Sequence, residues 1–144
     1  MEASCDDGYR RVARGLFRVM TSGIFLVAGT SHLQNAEPTA QRLQAAPWGH
    51  VVTSVADPQL LVMLASIPLL VGGAMLLTGL KTRWAAVALM AVLVPITLSV
   101  QVGDGSTLGP LFKNIGLMGS LIYFATHGSE DWSLDGWRAQ KTGE

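Results

Sequence analysis

The chain has 144 residues, 49% hydrophobic and 14% charged, and its ten basic and ten acidic side chains cancel to zero net charge. A soluble domain of this size carries about 25% charged residues, so the composition points to a membrane protein. Without a basic excess it argues against a nucleic-acid binder. A single cysteine, Cys5, excludes an internal disulfide, and the three histidines, His32, His50 and His127, add too few ligands for structural zinc.

In chain order, the first apolar run covers residues 16–33 and holds Arg18 near its start. It is long enough to span the roughly 30 Å hydrocarbon core as a helix of about 20 residues. Basic residues precede it, as in a signal peptide, but no clean small-x-small cleavage site follows, so the segment is expected to be retained. The next connection, residues 34–58, is the longest. Thr39-Ala40-Gln41-Arg42-Leu43-Gln44 reads as a short interfacial helix, and Pro47-Trp48-Gly49 as a break with Trp48 at the headgroups.

Residues 60–80 carry no charge, and neither do residues 84–102; residues 108–126 carry only Lys113. Gly79-Leu80-Lys81-Thr82-Arg83 and Gly103-Asp104-Gly105-Ser106 are turn signals between these runs. Pro68 and Pro95 fall inside spans, where membrane helices tolerate proline. One such run fits a buried helix of a soluble protein. Four of them in 144 residues leave too little polar surface to cover them. The expectation is one all-α domain, a transmembrane four-helix bundle with spans near 12–33, 59–80, 83–102 and 109–127.

Arg10, Arg11, Arg14, Arg18, Lys81, Arg83, Arg138 and Lys141 then fall on one side, and only Arg42 and Lys113 on the other. The positive-inside rule puts both termini in the cytoplasm. In a bacterium this means the cell inner membrane. Small residues mark close helix approach: Gly23 and Gly29, Gly72 and Gly73, Ala85, Ala88 and Ala91, and Gly116, Gly119 and Ser120. Gly116-x-x-x-Ser120 reads as ordinary packing or as a dimer face.

Four stretches resemble the DoxX family of small four-helix membrane proteins. They are Arg18-x4-Gly23-x-Phe25-x3-Gly29-x2-His32-Leu33, Gly72-Gly73-x5-Gly79-Leu80-x2-Arg83-x-Ala85-Ala86, Leu111-Phe112-Lys113-Asn114-Ile115 and Trp132-Ser133-Leu134-Asp135. Their order and spacing extend over nearly the whole chain. One departure is Leu69, near a place where the family often carries a glutamate. The resemblance implies a membrane-anchoring subunit associated with a quinone-linked redox complex, not catalytic alone. The alternative is a non-catalytic interaction or assembly protein without a cofactor.

The candidate chemistry is sparse. Arg18 either snorkels to the headgroups as an anchor or meets a specific partner. His32, Asp104, Lys113 and Asn114 are expected at the outer face. There Lys113 can pair with Asp104, Asn114 can bond across helices, and His32 can exchange protons. A quinone headgroup needs such donors beside an apolar cleft, so His32, Lys113, Asn114 and Arg18 are the candidate quinone contacts; the bland reading of the outer cluster is interfacial anchoring. His32 and His127 lie a membrane thickness apart and cannot share a haem iron. Trp132 and Trp137, with Leu134, suggest a short helix on the cytoplasmic surface. No nucleotide loop, nucleophile triad or metal motif is present. The bilayer is the first expected partner, then a redox protein or a second copy.

Overall fold

The computed structural model describes residues 2–102, 108–129 and 133–142. Among these residues the chain is all-α: α1 (Glu2–Gln34), α2 (Ala36–Ala45), α3 (Gly49–Thr53), α4 (Pro58–Thr78), α5 (Thr82–Val100), α6 (Leu108–His127) and α7 (Leu134–Thr142). The expected turn at Gly103-Asp104-Gly105-Ser106, its Asp104–Lys113 pair and Trp132 lie outside the described residues.

Among the described residues three helices are long and apolar enough to cross a membrane: α1 over Gly8–Gln34, α4 and α5. The fourth long helix, α6, has 20 residues, about 30 Å at 1.5 Å each. Lys113 and Asn114 in its first turns make it more polar than α4 and α5. The first span differs from expectation. Its helix begins at Glu2 rather than near residue 12, because no proline interrupts the polar residues before the apolar run.

The helix ends follow from local chemistry. Asp57 caps α4, its carboxylate accepting from the backbone N–H of Gln59 at 2.9 Å and of Leu60 at 3.1 Å, with Pro58 opening the helix. Gly79 ends α4 in the left-handed region, φ 66. The Leu80 N–H reaches the Met75 carbonyl at 2.9 Å and the Gly79 N–H the Leu76 carbonyl at 3.2 Å, a Schellman closure. Only Gly79, Leu80 and Lys81 separate α4 from α5, so the two helices form a tight antiparallel hairpin.

The core joins α1, α4, α5 and α6 through Phe25, Leu69, Leu76, Leu89, Leu121 and Phe124. Closely packed pairs are α1 with α4, α4 with α5, and α5 with α6. The remaining seam, α1 to α6, is made by rings: Phe17 stacks on Phe124 at 5.1 Å and meets Tyr123 edge-on at 5.8 Å. Large apolar side chains also cover the outer faces of the long helices. Leu60, Leu64, Ile67 and Val71 on α4, Val87 and Leu98 on α5, and Phe112, Ile115 and Ile122 on α6 are all exposed. Contiguous apolar faces of this extent do not persist in water, whereas lipid tails solvate them. α2, the expected interfacial helix, sets Ala36 and Ala40 against Val62 of α4.

Glycine sets the α4–α5 distance. A Cβ on Gly72 would stand 2.8 Å from Leu89 Cγ, in the centre of the core. Gly72→Ala is therefore expected to lower stability by ~1–3 kcal/mol, the usual cost of overpacking. Leu89→Ala costs about 2–5 kcal/mol alone, but in the double variant the two losses should sum to less than their total. A thermal-unfolding cycle in detergent measures this; strict additivity would mean that the contact does not fix the seam.

Candidate functional site

The α4–α5 hairpin brings residues from five segments to one end of the bundle. Arg18 of α1 is 6% exposed, so it does not snorkel outward; its guanidinium turns inward against Gly79, where a Cβ would lie 2.9 Å from Nη1. Its side chain is thus packed inside the bundle. Part of that environment is Asp135 of α7, which interacts electrostatically with Arg18.

Asp135 closes this end. Its Oδ1 accepts from the Lys81 N–H at 2.8 Å, and its Oδ2 from the Thr82 N–H at 3.0 Å and the Thr82 hydroxyl at 3.3 Å. It therefore caps α5 from a distant segment, a carboxylate on the positive end of a helix dipole. In return the Asp135 N–H donates to the Gly79 carbonyl at 3.0 Å. Thr82 and Ser129 share a hydroxyl hydrogen bond of 2.6 Å. The Ser133 hydroxyl donates to the Ser129 carbonyl at 2.8 Å and accepts from the Gly136 N–H at 3.0 Å. Lys81 sits at φ 45, a left-handed conformation unusual for a side-chain-bearing residue, and the Asp135 bond holds it there. The cap thus welds the Gly79-Leu80 turn to Ser133-Leu134-Asp135, two stretches far apart in sequence.

Beside Arg18 the open space is small. A cavity of ≈ 50 Å³ is lined by Arg14, Arg18, Tyr123, Phe124, His127 and Ser129. It accommodates a few waters, whereas small-molecule sites typically occupy about 300–1,000 Å³. Arg18 and His32 lie on the same helix, 14 residues or about 21 Å apart, so Arg18 stands away from the other candidate contacts.

At the opposite end Asn114 is 4% exposed and donates from Nδ2 to the Thr97 hydroxyl at 3.0 Å, which donates onward to the Leu93 carbonyl at 2.7 Å. This is the expected bond across helices, joining α6 to α5. Lys113, the preceding residue, is exposed, because successive helical positions point about 100° apart. His32 is half-buried, with its Nδ1 enclosed and without a hydrogen-bond partner among the described residues. Leu69 is 3% exposed and packs in the core.

A wider recess opens at this same end, between α3 and α5. It is about 420 Å³, lined by Trp48, Val51, Val52, Pro95, Leu98 and Ser99 among others, and almost wholly apolar. Sequence reasoning placed Trp48 at the headgroups but did not connect it with Pro95 and Leu98, which lie on a separate span. Among the described residues no group of three His, Cys, Asp or Glu side chains is gathered to hold a metal.

No curated protein and no solved structure matches the chain. The family model for DoxX matches residues 14–102, which covers α1 from Arg14 through the end of α5 and leaves α6 and α7 outside the match. With the apolar helices and their lipid-suited surface, this match makes the chain a helical integral membrane protein of the DoxX family.

Proposed function

We propose that the chain is a membrane-anchoring subunit of a quinone-linked redox complex. In this reading it crosses the cell inner membrane four times, α6 making the fourth crossing, with both termini in the cytoplasm. Arg10, Arg11, Arg14, Lys81, Arg83 and Lys141 then face the cytoplasm, in keeping with the positive-inside rule. The observation that carries the reading is the apolar recess at the His32 end, whose ≈ 420 Å³ lies within the range of small-molecule sites. A quinone supplies a two-electron carrier with an isoprenoid tail, and the Trp48–Leu98 walls suit that tail. His32, Lys113 and Asn114 belong to the same end of the bundle. The enclosed His32 Nδ1 and the Lys113 ammonium are the groups available there to bind a carbonyl or exchange a proton. Arg18, in this reading, serves the cap.

The test is lipid extraction and mass analysis of detergent-purified protein. Quinone should co-purify, and His32→Ala and Lys113→Ala should each lower its occupancy several-fold. Unchanged occupancy in both variants would remove these residues from the site. A second reading, a non-catalytic assembly protein, is favoured by α6: Gly116 and Gly119 are exposed, with nothing within 4 Å of where a Cβ would stand. It predicts a co-purifying polypeptide, or a second copy of the chain, and no quinone.

A further inference from the structure

At the Arg18 end, the start of α5 and the end of α6 border an open groove of about 500 Å³, which shares His127, Gly128 and Ser129 with the small cavity beside Arg18. Lys81, Arg83, Trp84 and Ser129 line it. Among the described residues the carboxylate lining it is that of Asp135, which is already engaged by the Lys81 and Thr82 N–H groups, so α5's own N-terminus is occupied.

Backbone features position both cations. Lys81 is carried on a left-handed residue tied to Asp135. Arg83 lies over the end of α6: Gly128 has φ 74, and a Cβ there would come within 3.4 Å of Arg83 Nε and 3.7 Å of Cγ. A cation at a helix C-terminus is favoured by the helix dipole, and this keeps Arg83 at the groove wall. Trp84 is 74% exposed on the first turn of a membrane-spanning helix, the level of the aromatic belt. The groove therefore grades from two cations to an exposed indole at the depth where phosphate gives way to acyl chain.

We infer that this groove binds an anionic phospholipid, its phosphate between Lys81 and Arg83 and its glycerol and upper acyl chain along Trp84. Free inorganic phosphate shares the charge but has no use for the indole wall, so the lipid is the better match. The inference needs only that the chain is a membrane protein; it stands whether or not quinone binds at the other end.

Native mass spectrometry of the detergent-purified full chain with added phosphatidylglycerol or phosphatidylcholine tests it. Phosphatidylglycerol should be retained at least ten-fold more tightly. Lys81→Asn removes the charge with a residue that tolerates the left-handed region, and Arg83→Gln removes the other. Each should weaken binding roughly five-fold and the pair about thirty-fold, as expected for interfacial cations. Lys81→Arg should retain binding, and Arg42→Gln, on α2, should not change it. Circular dichroism establishes that the variants fold. Equal retention of the two lipids, or an undiminished preference in the folded double variant, would overturn the proposal. Displacement of phosphatidylglycerol by millimolar inorganic phosphate would assign the groove to the free anion and overturn the lipid.

Discussion

Gly79→Ala is expected to destabilise the protein by about 3 kcal/mol and to release α7 from the bundle. Two costs add. An alanine at φ 66 adopts a conformation disfavoured by ~1 kcal/mol. Its Cβ would also lie 2.4 Å from Ser133 Cβ and 2.9 Å from both Arg18 Nη1 and Ser129 Oγ. Overpacking of this kind costs about 1–3 kcal/mol. Arg18 is a flexible chain and can withdraw its end; Ser133 is fixed by its bonds to the Ser129 carbonyl and the Gly136 N–H. The obstruction is therefore relieved by moving the Ser133-Leu134-Asp135 segment, which lifts the cap. For a chain of this length, ~3 kcal/mol corresponds to a fall of roughly 10 °C in the detergent unfolding midpoint. Limited proteolysis should then cut before α7 faster than in the parent. An unchanged midpoint with unchanged proteolysis would show that the turn tolerates a side chain and that the cap does not depend on Gly79.

This places the structural importance of the Arg18 end in a contact that local sequence patterns do not reveal. Apolar runs and turn residues predict α4 and α5 to within a few residues, because lipid imposes one length and one backbone solution on every span. They predict Gly79 as a turn. That Ser133 and Asp135 pack on this turn depends on how α6 returns the chain, and pairing across more than 50 positions leaves no local periodicity. The resemblance to DoxX brought the two stretches into one list without joining them in space. Arg18 shows the same limit. Its position near a helix end fits both an anchor and an internal partner, and only the fold shows that its side chain is buried. Asn114 was legible because a polar residue within a membrane span has few alternatives to bonding a neighbouring helix. The recess between α3 and α5 was not, since its walls are ordinary apolar residues whose contact depends on the fold of the 34–58 connection.

Asp135→Ala should have an effect of comparable size by a different route. The carboxylate accepts three hydrogen bonds from Lys81 and Thr82. Removing it deletes the N-cap of α5, worth about 1–2 kcal/mol. Thr82 is 1% exposed, so its N–H is left without an acceptor in a place water does not freely reach, at a further ~1–3 kcal/mol. Lys81 loses the bond that holds its left-handed backbone, and the buried Arg18 loses a compensating negative charge. The total expected is roughly 3 kcal/mol. Asp135→Asn separates these contributions: the amide oxygen still accepts one N–H, while its nitrogen cannot accept the other, so about half the loss should remain. The cycle with Arg18→Met completes the argument. If Arg18 relies on Asp135 for its charge balance, the double variant Arg18→Met with Asp135→Ala should be less damaged than the sum of the singles, because no buried cation is then left behind. Additive losses in that cycle would mean that Asp135 acts on the α5 terminus alone and that the balance for Arg18 comes from elsewhere.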